Sequence, residues 1–176
     1  MTQGLLHYYY GRGKGKTTAA LGFAIRSAGS GQKVVIVQFL KACDSGELSS
    51  LRYIPNITVF RGKASGGVFF RDMRDEEKAE TKKIHENNFR KAIKIVDNGD
   101  CDLLILDEAV DACTLGSLDI EMFEKLILDK PKQLELVVTG HGTYPLLLEK
   151  ADYVTEMVKH KHPFDQGIPA RRGVEF

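Results

Sequence analysis

Apolar residues in this chain fall into two kinds of run that alternate from one end to the other. The first kind is short and mostly apolar: residues 5–10 and 134–138, and the continuous aliphatic runs Val34-Val35-Ile36-Val37 and Leu103-Leu104-Ile105-Leu106. All four predict strands, and the two continuous runs predict strands buried on both faces, as in parallel sheets covered by helices. Residues 57–60 form a weaker strand candidate, and Tyr153-Val154 marks a last short one. The second kind has helical spacing. Ala20, Leu21, Ala24, Ile25 and Ala28 recur after Lys16 and are stopped by Gly29-Ser30-Gly31. Ile84, Phe89, Ile93 and Val96 draw an apolar stripe along the charged stretch 75–97, and residues 118–128 and 146–150 are helical candidates too. Residues 63–67 are small and glycine-rich and predict a loop. The tail, 160–176, holds two prolines and two glycines and predicts an ordered extension without its own core. The alternation predicts a three-layer α/β domain spanning 1–176, with parallel pairing and right-handed crossovers.

Composition narrows the classes of partner. The 176 residues suffice for one domain with a sizeable core and no need of disulfides or structural metal. With 25 basic and 24 acidic side chains the formal charge is +1, so no bulk electrostatic case exists for nucleic-acid or membrane binding. Cys43, Cys101 and Cys113 are odd in number and form no C-x-x-C pair, which points to a reducing compartment. The first residues lack the charged and long apolar regions of a secretory leader, and no apolar run reaches the ~20 residues of a bilayer span. The expected location is the cytoplasm.

Candidate chemistry begins where the first strand meets the first helix, at Gly11-Arg12-Gly13-Lys14-Gly15-Lys16-Thr17-Thr18. Glycines in such a loop let successive amides point into one concavity around phosphates, and the helix N-terminus adds its dipole. Lys16 fits the phosphate-binding lysine and Thr17 the hydroxyl that reaches Mg²⁺, so the loop predicts a bound nucleoside triphosphate, Mg-ATP. Against G-x-x-x-x-G-K-[ST], the first glycine position is Tyr10, with Gly11 one residue later. A chance glycine-rich turn would not need this place between strand and helix.

Asp107-Glu108 closes the strand of four aliphatics. Alone, such a pair reads as a helix N-cap; beside a phosphate loop it can hold Mg²⁺. Thr139-Gly140-His141 ends the next strand and either reaches ligands at the carboxyl edge of the sheet or is a turn satisfied by backbone. His160-Lys161-His162 has poor metal-ligand spacing. Phe69-Phe70 and Met73 are core residues, or, if exposed, a platform for a flat ligand.

Together the segments resemble the P-loop type of ATP:corrinoid adenosyltransferase. The resemblance runs in order through Gly11 to Gly22, Arg26-Ser27-Ala28-Gly29, Val37-Gln38-Phe39-Leu40-Lys41, Leu106-Asp107-Glu108 and Val138-Thr139-Gly140. It continues through Ala151-Asp152-Tyr153-Val154-Thr155-Glu156-Met157 and the tail from Lys161-His162-Pro163-Phe164 to Glu175-Phe176. In that family the shifted glycine at Tyr10 is an ordinary trait. The resemblance implies a P-loop NTPase-like, RecA-type fold with a mainly parallel sheet. It implies transfer of the 5′-deoxyadenosyl group of ATP to Co(I) of a reduced corrinoid, with release of triphosphate, in adenosylcobalamin synthesis or salvage. Implied cofactors and partners are ATP as substrate, Mg²⁺ or Mn²⁺, the corrinoid as second substrate, an electron donor such as a flavoprotein, and a second copy in a homodimer. ATP contacts would come from Gly11, Arg12, Gly13, Lys14, Gly15, Lys16, Thr17, Thr18 and Arg26. Lys16, Thr17 and Glu108 would be catalytic, Thr17, Asp107 and Glu108 would hold metal, and Phe69, Phe70 and Met73 would meet the corrinoid.

Two departures stand out. Several relatives carry an N-terminal extension that helps cover the site, whereas this sequence starts ten residues before the loop. His141 stands where arginine is common, which predicts less positive charge there near neutral pH. Competing readings are a P-loop small-molecule kinase and a nucleotide-driven ATPase or switch protein.

Overall fold

A computed structural model describes residues 3–41, 45–62 and 69–175. The elements alternate as β1 (Leu6–Tyr10), α1 (Lys16–Gly29), β2 (Val34–Gln38), α2 (Gly46–Leu51), β3 (Ile57–Arg61), α3 (Asp75–Asp97) and β4 (Leu103–Asp107). They continue as α4 (Ala109–Thr114), α5 (Ile120–Leu128), β5 (Glu135–Gly140), α6 (Pro145–Lys150) and β6 (Tyr153–Glu156). Short 3₁₀ turns occupy Phe70–Asp72 and Pro163–Gln166. The loop expected at 63–67 lies outside the described residues, as do Met1, Thr2, Cys43 and Phe176.

The six strands form one sheet in the order β3-β2-β4-β5-β1-β6, and every pairing is parallel. The sheet is thus wholly rather than mainly parallel. Side-chain alternation divides it into two faces. Leu6, Tyr8, Val35, Val37, Leu104, Leu106, Leu136 and Val138 point to one side, where they pack on α3, α4, α5 and α6. Val34, Ile36, Leu103, Ile105 and Val137 point to the other, against α1 and Leu51 of α2. The result is the expected three-layer α/β, P-loop NTPase-like arrangement, with helices covering both faces of the central strands.

Parallel pairing puts every strand's carboxyl end at one edge. The register sets Tyr10 beside Gly140 and Glu156, and Gln38 beside Asp107 and Arg61. One strand, β5, separates the loop-bearing β1 from the acidic end of β4. The edge where the ligands of open α/β sheets bind therefore gathers the glycine-rich loop after β1, Asp107-Glu108 and Thr139-Gly140. Two helices were not expected. Both α2 and α4 have six residues, too few for an apolar period to declare itself. The helix expected over 118–128 starts later, at Ile120, because the Asp119 side chain accepts the Met122 amide as an N-cap.

Candidate active site

The loop after β1 is clasped from beneath by the chain leaving β6. Met157 N donates to Tyr10 O at 2.7 Å, and Gly13 N donates to Met157 O at 2.6 Å. A Cβ on Gly11 would lie 2.5 Å from the Met157 carbonyl oxygen, and one on Gly13 would lie 2.6 Å from it. Gly11 also has φ 109°, open only to glycine without strain. These two glycines are therefore demanded by a backbone that passes under the loop, in addition to any phosphate above it. The sequence could not show this reason, because Met157 comes from the far end of the chain.

Lys16 opens α1 and is buried, its ammonium donating to Gly11 O at 2.6 Å and Gly13 O at 3.0 Å. Burial lowers its pKa from the ordinary lysine value, opposed by the nearby carboxylates of Asp111, Glu108 and Asp107. The lysine thus curls back on its own loop and neutralises carbonyls that would otherwise repel an anion.

Asp107 is the hub of the site and almost wholly buried. Thr17 Oγ1 lies 3.0 Å and 3.2 Å from its two carboxylate oxygens, Thr139 Oγ1 donates to Oδ1 at 2.9 Å, and Gln38 Nε2 donates to Oδ2 at 3.3 Å. Thr139 in turn accepts the Glu108 amide at 2.8 Å, which settles its role as a structural bridge between β4 and β5. Lys41, just beyond β2, places its ammonium 2.7 Å from Asp107 Oδ2, 2.8 Å from Thr17 Oγ1 and 3.6 Å from Glu108 Oε1. Glu108 is the residue before α4 but makes no side-chain cap hydrogen bond, so the acidic pair does not act as a helix N-cap. Burial raises its carboxyl pKa, with Lys41 opposing. Leu40 and Glu108 are the only non-glycine residues with positive φ among the described residues, at 56° and 61°. Both lie at the ends of neighbouring strands, where strained backbone turns Lys41 and Glu108 toward the loop.

Above the loop lies an open cavity of about 820 Å³. Arg12, Gly13, Lys14, Gly15, Lys16, Thr17 and Thr18 all line it, and Glu108, Lys41, His141 and His162 face it as well. The tail closes one side: Lys14 Nζ donates to Val174 O at 3.1 Å and Glu175 Oε1 at 3.0 Å. Arg26 is not part of the lining. It sits in the last turn of α1, about 15 Å along the axis from Lys16 and next to Ile25, which does line the cavity. His141 hydrogen-bonds Asp111 Oδ2 at 3.1 Å, and this carboxylate raises the imidazole pKa above its ordinary value. The loss of charge expected from histidine in place of arginine is therefore partly offset by Asp111.

Of the aromatic cluster, Phe69 is 72% exposed, with the Arg71 guanidinium 5.8 Å from its ring centre. Phe70 is half-buried, whereas Met73 is buried, with Thr81 Oγ1 donating to its Sδ at 3.6 Å. Lys41, Asp111 and Met157 escaped the sequence reading as site residues. Among the described residues no three His, Cys, Asp or Glu side chains form a metal cage, and no helix is long and apolar enough to cross a membrane.

Comparison with known proteins gives the same assignment along the full length. The ATP:corrinoid adenosyltransferase BtuR/CobO/CobP family model matches residues 2–176. The corrinoid adenosyltransferase of Pseudomonas aeruginosa is 35% identical over 175 residues, covering 99% of this chain and 84% of that protein. The corrinoid adenosyltransferase of Escherichia coli K12 is 31% identical over 175 residues, and Salmonella typhimurium corrinoid adenosyltransferase CobA is 30% identical, each over 99% of this chain and 86% of the relative. With a phosphate loop, an acidic strand end and this end-to-end similarity, the chain belongs to the ATP:corrinoid adenosyltransferase family.

Proposed function

We propose that the chain transfers the 5′-deoxyadenosyl group of ATP to Co(I) of a reduced corrinoid and releases triphosphate. The observation that carries this reading is the meeting of Lys16, Thr17, Asp107 and Glu108 at one edge of the sheet, beneath a cavity large enough for a nucleotide. Reduced cobalt is a strong nucleophile with no proton to remove. Asp107 already accepts from Thr17, Thr139, Gln38 and Lys41, so it is committed to the framework rather than free to act as a base. What the reaction needs is stabilisation of the negative charge that grows on triphosphate as the C5′–O bond breaks. Loop amides and the Lys16 ammonium are placed to supply it. The triphosphate would lie on the loop in the reverse sense from that of a kinase, leaving C5′ open toward the corrinoid, so positioning is the other contribution.

Thr17, Asp107 and Glu108 form an all-oxygen set already gathered round one cation, the Lys41 ammonium, which suits a hard divalent ion such as Mg²⁺ or Mn²⁺. When bound, such an ion would neutralise triphosphate charge. Phe69, with Phe70 beside it, is the candidate to press against the lower face of the corrin ring and exclude an axial base. A homodimer, a flavoprotein electron donor and a cytoplasmic location belong to the same reading.

The test is anaerobic incubation with ATP, Mg²⁺ and chemically reduced cobalamin, following the absorbance change of cobalt alkylation and the phosphate product. Triphosphate should appear only with reduced corrinoid. Lys16→Ala and Glu108→Ala should each lower formation of the light-sensitive product by roughly a hundredfold or more. ADP with a phosphorylated acceptor would instead establish a kinase, and ADP with phosphate alone a switch protein.

A further inference from the structure

Lys41 is positioned with more care than a surface lysine needs. Its backbone follows the left-handed Leu40, whose amide donates to His85 Nε2 at 3.3 Å. Its own carbonyl accepts from Arg61 Nε at 3.1 Å. Both ends of this short strap are thus pinned by elements on either side, α3 and β3. The side chain is 17% exposed, and its ammonium reaches Thr17 Oγ1, Asp107 Oδ2 and Glu108 Oε1. These are the three oxygens proposed above for the divalent ion. Because Asp107 is buried, it needs a positive neighbour in every state of the protein, with or without metal. Two cations cannot share so small an oxygen set without strong repulsion.

We propose that Lys41 is the resident counter-cation of the site: it occupies the divalent ion's seat on Thr17, Asp107 and Glu108, and gives that seat up only when its charge can move onto the triphosphate. Lysine suits this exchange because it carries a compact charge on a flexible stem, with no fixed fork of donors to satisfy. Bare protein would then bind the metal weakly, and metal and nucleotide would enter as a pair. The same ammonium would end on the leaving group, beside Lys16, making Lys41 a second cation on the departing triphosphate. This inference rests on reading the loop as a metal–triphosphate site.

The test uses the full chain, without corrinoid, and two probes whose affinities should move in opposite directions. Mn²⁺ binding without nucleotide is measured by the paramagnetic resonance of the free ion; ATP binding is measured by equilibrium dialysis in excess chelator. Lys41→Met should bind Mn²⁺ roughly tenfold or more tightly than wild type, since a competing charge is gone. It should bind metal-free ATP roughly tenfold more weakly, since two carboxylates now face the phosphates unbalanced. Lys41→Arg, which keeps the charge, should leave Mn²⁺ binding as weak as in wild type. A merely structural role would weaken both probes in Lys41→Met, and that result overturns the proposal. So does unchanged Mn²⁺ affinity in Lys41→Met, or equal tightening in Lys41→Arg. If wild type retains no Mn²⁺–ATP at all, the metal–triphosphate reading fails and takes this one with it. If wild type retains the complex and Lys41→Met behaves identically, the role of Lys41 alone is refuted.

Discussion

The imidazole of His85 is fixed between partners that leave it one protonation state. Nε2 accepts the Leu40 amide at 3.3 Å, so the proton must sit on Nδ1, which lies 3.2 Å from Ser117 Oγ; that hydroxyl donates to Ala112 O at 3.2 Å. Burial holds its pKa down to about 4. Protonation would remove the acceptor for Leu40 and charge a buried ring packed edge-on to Phe39. Between the ordinary value near 6.5 and 4, the unfolded chain therefore binds the extra proton and the folded chain does not. Stability from this group is full above pH 6.5 and declines as the pH falls toward 4, by up to about 3 kcal/mol. Urea midpoints measured from pH 7 to pH 4 should fall more steeply in wild type than in His85→Gln, where a neutral amide can still accept from Leu40. Parallel slopes would remove His85 from the account. Because the same bond anchors the Leu40 turn, loss of His85 neutrality also loosens the strap that carries Lys41.

At the level of elements, the clasp between the β1 loop and the segment after β6 makes opposite forecasts for one substitution at two sites. Gly13→Ala would drive a methyl to 2.6 Å from the Met157 carbonyl and should cost roughly 2 kcal/mol or more, with loss of ATP binding. Gly22→Ala, in the middle of α1 with nothing within 4 Å, should raise stability by roughly 0.5–1 kcal/mol. Thermal melts of the two variants decide the matter; a stabilised Gly13→Ala would mean that the clasp yields freely. The contrast also shows what the sequence could and could not reveal. β2 and β4 were legible because four consecutive aliphatics have few other uses, and α1 and α3 because their stripes run for several turns. The tight loop between β1 and α1 was legible from its glycines. Why Gly11 and Gly13 are glycines was not, since the cause is a long-range contact. Lys41 was hidden for the same reason: its meaning lies in Thr17 and Asp107, which no local pattern links to it.

Across the protein, residues from both ends of the chain border the cavity. Glu175, held ionised down to about 2 chiefly by its hydrogen bond to the Arg171 side chain, brings a negative charge to Lys14 of the phosphate loop. Lys14 is half exposed, so the pair is worth little to folding, but it sets a carboxylate in the lining of the cavity above the loop. Glu175→Gln should therefore tighten ATP binding a few-fold at low ionic strength, roughly two- to fivefold, and the gain should fade as salt shortens the Debye length below about 8 Å. Calorimetric titrations at two salt concentrations would show it, and a gain indifferent to salt would assign the effect to something other than charge.

The place of β1 between β5 and β6 also bears on how the protein comes into being. A ribosome makes residues 11–18 long before the strands that flank β1 and the peptide at Met157 that grips Gly13. Pairings this distant are slow to form and leave strand edges bare in the meantime. The loop at residues 11–18 is thus made well before the contacts that give it its shape, and a newborn chain halted before residue 157 would carry the loop's letters without the backbone that clasps it.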